Sequence, residues 1–264
     1  MEKSRGRGIP GDFPPGLAAG RIPSMLYVVG TPIGNLEDLS ARALRILGEV
    51  DAVVSEDTRT TLKLLSRHGL RKPLIAYFQH SPPRRLEEIL RRLREGRSLA
   101  LVTESGTPGV SDPGARLVDA ALREGIRVSP IPGPSAVAAA AGACGLGADA
   151  FHFAGFLPRK GGKRRKALRA LKDLEVTLLI FESPHRIVES LEDMLAALGD
   201  RRLTVCRELT KAHEEVWRTT VGGALERYRK ESPLGEFTLA VEGRPAGAPA
   251  EGDSSPDLEG QEPR

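Results

Sequence analysis

Aromatic residues make up only 4% of the 264-residue chain, with a single tryptophan, which excludes a recognition surface built mainly from stacked rings. Cysteine is almost missing. Cys144 and Cys206 sit in apolar contexts with no CxxC or Cys/His spacing, so they are expected as buried thiols in a reducing compartment rather than as a disulfide framework or a zinc site. No apolar run approaches the length of a membrane span. The first residues are rich in Arg, Gly and Pro and lack the apolar centre of a signal peptide, so a cytoplasmic protein is expected. Dinucleotide-binding GxGxxG, the phosphate loop GxxxxGK[ST], HExxH and GxSxG are all absent, as are clustered metal ligands. What remains is a site of backbone and short polar groups, suited to a ligand recognised by shape and hydrogen bonds.

The material that is present suits an ordinary core. At 40% hydrophobic and 28% charged, the chain can build one large domain or two of moderate size. Net charge is only +4, but Lys and Arg number 39, so their distribution matters more than the sum. Gly and Pro crowd residues 1–24, and Pro, Gly, Ser and acids dominate 244–264, which predicts two disordered tails. Between them short apolar runs alternate with helical patterns. Strands are expected at 25–30, 51–55, 74–77, 98–102 and 127–131, then at 151–156, 177–181, 203–206, 216–221 and 237–241. This alternation predicts α/β architecture with a mostly parallel sheet in the first half. The glycine-rich stretch 142–149 marks the junction, giving domains at 25–143 and 149–243.

The centre of the argument is the segment 102–114, VTESGTPGVSDPG. It follows a buried strand and precedes a helical pattern. Gly106, Pro108, Gly109, Pro113 and Gly114 are more punctuation than a plain strand-to-helix turn needs. Glycine lets backbone approach a ligand and proline holds one loop shape. Carboxyl ends of parallel strands are where open α/β sheets bind ligands. Similar loops recur at GTPIG (30–34) and PGPSA (132–136), and charged groups stand at EDTR (56–59), ESPHR (182–186) and RELTK (207–211). Taken singly, each has a plain alternative as a helix cap or surface ion pair. Residues 159–172 carry eight basic side chains and no acid. Such a run is often a solvated helix face, but it also suits a phosphate backbone.

Together these segments, with GFLP at 155–158, resemble the tetrapyrrole methylase superfamily, over roughly residues 25–241 and in the family's order. The match is nearest to the branch that methylates ribose 2′-hydroxyls of cytidine in bacterial small-subunit ribosomal RNA. The resemblance implies two α/β domains, a cofactor cleft between them holding S-adenosyl-L-methionine, and a homodimer acting on the RNA within the assembled subunit. By the same resemblance the cofactor site comprises Pro32, Glu104, Gly106, Thr107, Pro108, Gly109, Val110, Ser111, Asp112, Gly133, Pro134 and Ser135. Where the family usually has Asp-Ala ahead of Gly-Thr-Pro, this chain has Glu104 and Ser105, which lengthens the acid by one methylene. The expected catalytic residues are Asp57, Arg59, Glu208 and Lys211, with Glu56 as a further possible base. Lys160, Lys163, Arg164, Arg165 and Lys166 are expected on the RNA. A small-molecule tetrapyrrole methyltransferase and a non-catalytic RNA-binding protein remain alternatives, since fold alone does not fix substrate.

Overall fold

The computed structural model describes residues 22–112, 114–231 and 234–245; Pro113 and most of the two expected tails lie outside them. Order begins earlier than expected. Ile22 is buried in the first core, and the Ser24 hydroxyl donates to the Arg97 carbonyl at 3.1 Å.

The first sheet contains β1 (Leu26–Val29), β2 (Ala52–Ser55), β3 (Leu74–Ala76), β4 (Leu99–Leu101) and β5 (Val128–Ile131), all parallel, in the order β3-β2-β4-β1-β5. Helices α1 (Ala41–Glu49), α2 (Thr58–Arg67), α3 (Pro83–Arg94) and α4 (Gly114–Arg123) make the crossovers. Right-handed crossovers that run in opposite directions must lie on opposite faces. α1 and α2 accordingly pack on Tyr27, Val29, Val53 and Ala100, whereas α3 and α4 cover Leu26, Val54, Leu99 and Leu101. Alternate residues of the same short strands are thus buried on both sides, as their continuous apolar composition predicts. The chain reverses its winding between the neighbours β1 and β4, which makes their carboxyl ends the switch point.

The second sheet contains β6 (Phe151–Phe156), β7 (Thr177–Glu182), β8 (Arg202–Arg207), β9 (Glu215–Thr220) and β10 (Phe237–Val241), in the order β6-β7-β10-β8-β9. Only β6 and β7 are parallel; β10 runs antiparallel to both β7 and β8, and β8 and β9 form a hairpin. One face is covered by α6 (Gly161–Ala170), α7 (Ile187–Leu198) and α8 (Val221–Lys230). The other is covered by α5 (Ala136–Ala143), whose Ala140 packs with Leu179, Cys206 and Ala240. This corrects the expected domain division. α5 follows the first sheet in sequence but packs on the second, because its run of alanines allows a close fit to that sheet's small residues. A hydrogen bond from the buried Thr204 hydroxyl to the Cys144 carbonyl, 2.8 Å, holds its end. Both cysteines are free and buried, and burial pushes the Cys206 thiol up to about 11. Among the described residues no helix is long and apolar enough to cross a membrane.

α6 is fixed to α7 by a buried ion pair. Arg164 Nε lies 2.7 Å from Asp193 Oδ2, and Arg165 Nη1 lies 3.0 Å from Asp193 Oδ1. Arg164 is only 3% exposed and also donates to the carbonyls of Arg159 and Glu189. Burial by itself would raise the Asp193 pKa, but the hydrogen bonds from Arg165 and Arg164 outweigh it and lower it. The contribution of this carboxylate is therefore present above the ordinary aspartate range and lost as pH falls through its depressed value. Removing one partner of a buried pair leaves the other uncompensated. Arg164→Ala is expected to cost about 3–5 kcal/mol in urea unfolding at neutral pH, whereas Lys163→Ala on the exposed side of α6 changes stability by less than about 0.5 kcal/mol. Equal effects of the two would refute this assignment.

Candidate active site

The loops leaving β1, β4 and β5 are locked together at the switch point. Thr31 N donates to the Gly106 carbonyl at 2.9 Å, and Gly106 N returns a bond to the Thr31 carbonyl at 3.1 Å. The Thr31 hydroxyl donates to the Thr103 carbonyl at 3.1 Å. On the other side of β1, Gly30 meets Gly133 backbone to backbone. A Cβ on Gly133 would lie 2.8 Å from the Gly30 carbonyl oxygen, so neither position has room for a side chain. Within the β4 loop Gly106 and Gly109 take positive φ of 84° and 90°, and Ser111 takes 62° although it is not glycine. Asp112 braces this loop, its Oδ1 accepting from Gly109 N at 2.6 Å and Gly114 N at 3.0 Å. Thr107 Oγ1 donates to the Pro134 carbonyl at 3.3 Å.

The second sheet closes the space above these loops. Antiparallel β10 places its amino end, Phe237, beside Glu182 at the carboxyl end of β7. Gly155, at a bulge in β6, turns with φ of 63° and brings that strand against Ser111. Asn35 N donates to Thr210 Oγ1 at 3.1 Å, and Gly34 packs against the Lys211 side chain. The half-open cavity between them has a volume of about 610 Å³, within the range of cofactor pockets. Its walls are Ile33, Glu56, the loop from Thr103 to Thr107, Val110, Ser111, Asp112 and Ser135 on one side. Phe156, Phe181, Glu182, Ser183, Glu236 and Thr238 form the other. Phe156 and Phe181 meet edge to face at 5.5 Å. Glu182 is spent on structure: its carboxylate accepts from Ser183 N at 2.8 Å and from the buried Ser190 hydroxyl at 2.5 Å. Arg186 Nη2 donates to the Leu157 carbonyl at 2.6 Å and holds the strand bearing Phe156 in place.

The wall is electronegative. Glu56, Glu104 and Asp112 converge on the cavity, and burial, then the charges of Glu104 and Asp112, raise the Glu56 pKa above its ordinary 4.5. Such a wall favours a ligand of net positive charge, while the two phenylalanines offer an apolar face.

Of the residues expected to hold a cofactor, Glu104, Gly106, Thr107, Val110, Ser111, Asp112 and Ser135 line the cavity. Pro32, Pro108, Gly109, Gly133 and Pro134 belong to the same loops but do not line it. The expected catalytic group is not assembled there. Asp57 caps α2, its carboxylate accepting from Arg59 N at 2.8 Å, and this bond lowers its pKa. Arg59 points outward into a neighbouring groove. Lys211 Nζ is tied to Glu208 at 2.9 Å and Glu236 at 3.0 Å. Burial alone would lower its pKa, but those bonds raise it, so the amine is a fixed cation. The basic helix also divides. Arg164 faces inward on Asp193 and cannot reach RNA, Arg165 is held by the same carboxylate, and Lys160, Lys163 and Lys166 are exposed. Glu236, Phe237 and Thr238 were not foreseen, because β10 enters the site by its amino end and strand-end reasoning looks only at carboxyl ends.

The profile of the family described as Tetrapyrrole (Corrin/Porphyrin) Methylases matches residues 25–224. The chain is 44% identical to "Ribosomal RNA small subunit methyltransferase I" of Thermotoga maritima, over 83% of this chain and 98% of that one. It is 48% identical to the protein of the same name from Mesorhizobium japonicum, over 82% and 74%. Among solved structures it resembles a cobalt precorrin-4 methyltransferase at a TM-score of 0.63 and 21% identity, covering 84% of this chain and 98% of that one. Uroporphyrin-III C-methyl transferase from Thermus thermophilus, solved with S-adenyl homocysteine, aligns at a TM-score of 0.58 and 21% identity, covering 83% and 97%.

The glycine contact at the switch point has a direct test. Gly133→Ala must push the β1 and β5 loops apart and is expected to cost about 1–3 kcal/mol in denaturant unfolding. Gly142→Ala, in α5 with open space around it, should be neutral or gain up to about 1 kcal/mol. A neutral Gly133→Ala would refute the contact.

Proposed function

The chain belongs to the tetrapyrrole methylase family, and from that premise we propose that it uses S-adenosyl-L-methionine to methylate the 2′-hydroxyl of a cytidine ribose in bacterial small-subunit ribosomal RNA. The rest of the reading is a homodimer acting on the assembled subunit in the cytoplasm. Ribosomal RNA of the small subunit follows from the name its relatives carry; the cytidine and the 2′-oxygen follow from the resemblance of the motifs. The observation that carries the reading is the acid-walled cavity pinned at the switch point.

The residues present fit the cofactor. Its sulfonium and ammonium groups outweigh its carboxylate, so its net charge suits a wall bearing Glu56, Glu104 and Asp112. The tight loops of Gly106 to Asp112 offer backbone and hydroxyl groups, and Phe156 and Phe181 offer an apolar surface for a base. When bound, the cofactor supplies an electrophilic methyl group, and alignment of the attacking oxygen is the protein's main task.

Glu56 is the general base in this proposal. It lines the cavity, and its raised pKa makes its carboxylate a better proton acceptor than the capping Asp57. Its Oε atoms take the proton from the 2′-hydroxyl as the oxygen becomes methylated. Lys211, held as a cation by Glu208 and Glu236 at the rim, sets positive charge near the phosphate beside that ribose. Lys160, Lys163 and Lys166 lie on the exposed face of α6 and take more distant phosphates.

Transfer of labelled methyl groups to unmodified small subunits, followed by alkaline hydrolysis, tests the reaction. A 2′-O-methyl group blocks cleavage at its own linkage, so label is expected in an alkali-resistant dinucleotide. Label in mononucleotides, or no label, would overturn the proposal. Because the base must be ionised, kcat should rise with pH through the raised Glu56 pKa, on a limb centred above 4.5. Glu56→Gln should abolish that limb and lower kcat by about 10²–10⁴-fold. An unchanged pH profile would remove Glu56 from the role.

A further inference from the structure

Next to the cofactor cavity the edge of the first sheet carries a second concavity. β3 is the edge strand, and two hollows of about 540 and 450 Å³ lie along it, sharing Ala76, Arg85 and Glu88. The first is walled by Arg59, Arg85 and Arg92, and the second by Phe78 and Arg84. Two carboxylates serve three of these four guanidinium groups. Glu88 takes Arg85 at 2.7 Å and Arg92 at 3.0 Å, and Asp57 takes Arg59 at 3.5 Å. The groove therefore keeps an excess of positive charge. The Arg59 side chain is 90% exposed, and Arg92 Nε is buried with no hydrogen-bond partner. Phe78 stands 44% exposed among these cations.

Guanidinium groups for phosphates beside an open aromatic ring for a base are what proteins present to single-stranded nucleic acid. The position agrees with this. Glu56 lines the cofactor cavity and Arg59 lines the groove. Two residues separate them, so their Cα atoms are at most about 11 Å apart. A strand lying in the groove would present its next ribose at the mouth of the cavity. Resting on the RNA reading above, we propose that this groove holds the single-stranded segment adjoining the methylated nucleotide, with Arg59, Arg84, Arg85 and Arg92 on its phosphates and Phe78 stacked on a base.

The test is fluorescence anisotropy of a labelled single-stranded oligocytidylate with the full-length protein, using Arg84→Glu and Phe78→Ala. Both side chains are exposed, so neither change disturbs the core, and calorimetric binding of S-adenosylhomocysteine should be unaltered. Arg84→Glu is expected to weaken RNA binding about tenfold and to reduce the slope of log K against log salt by roughly one contact. Phe78→Ala is expected to weaken it about tenfold with the salt slope unchanged. No binding by the parent protein, or variants that both keep the parent's affinity, overturns the groove. So does a variant that keeps its RNA affinity but dissociates a dimer in sedimentation, since the hollow would then be an interface between copies. Methyl transfer to unmodified subunits is measured alongside. If the groove binds as expected and no methyl group is transferred, the RNA-methylation reading fails while the groove stands; if transfer persists with unaltered binding, only the groove fails.

Discussion

Everything at the functional end of the molecule depends on how the chain leaves β1. That strand has β4 on one side and β5 on the other, and its exit is tied to both: by paired amides between Thr31 and Gly106, and by bare backbone contact between Gly30 and Gly133. Two different devices do the work because the two neighbours make different demands. The β4 loop must hold a strained path through Ser111, which needs directional hydrogen bonds. The β5 loop must come as near as backbone allows, which needs the absence of side chains. The cavity inherits its shape from these ties.

Charge is partitioned over a short distance. Inside the cavity the ionisable side chains are carboxylates, and burial, then the charges of its neighbours, pushes Glu56 toward its protonated form. Immediately outside, along the edge of the first sheet, Arg59 and Arg85 are each oriented by an acid, and the guanidinium groups there outnumber the carboxylates. A cationic small molecule and a polyanion are thereby drawn to adjacent places and kept from exchanging them. Asp57 serves this partition indirectly: it ends the acidic segment, starts α2 and directs Arg59 outward.

Much of this was legible in the sequence, and the reasons for the remainder are physical. Short apolar runs specified the strands because a strand buried on both faces has no alternative composition. The Gly- and Pro-rich loops marked one wall of the cavity because glycine permits the positive φ that the chain takes at Gly106 and Gly109. Residue chemistry alone could not separate Arg164 from Lys163. Both belong to one basic run, and only the placement of Asp193 on α7 turns one inward. Nor could it assign α5 to a sheet, since an alanine helix packs equally well on either until the cover of each face is known. Charge at a strand end does not tell which group faces the cavity: Asp57, Glu208 and Lys211 use theirs on a cap and in ion pairs, whereas Glu56, beside Asp57, and Glu236, from a strand running the opposite way, line the wall.

The order of strands in the second sheet has a consequence in time. Among the described residues β10 is the last strand to be synthesised, yet it lies in the middle of its sheet, between β7 and β8. The first sheet is complete once Ile131 has emerged, and domains that finish early fold as the chain lengthens. The second must wait. Until Phe237 to Val241 leave the ribosome, β7 and β8 have no shared neighbour and the cavity lacks the wall made by Glu236, Phe237 and Thr238. The nascent chain thus carries half of the cavity wall from the time β5 emerges until β10 does, so that a product truncated before Glu236, however well its first half folds, is born without the other half.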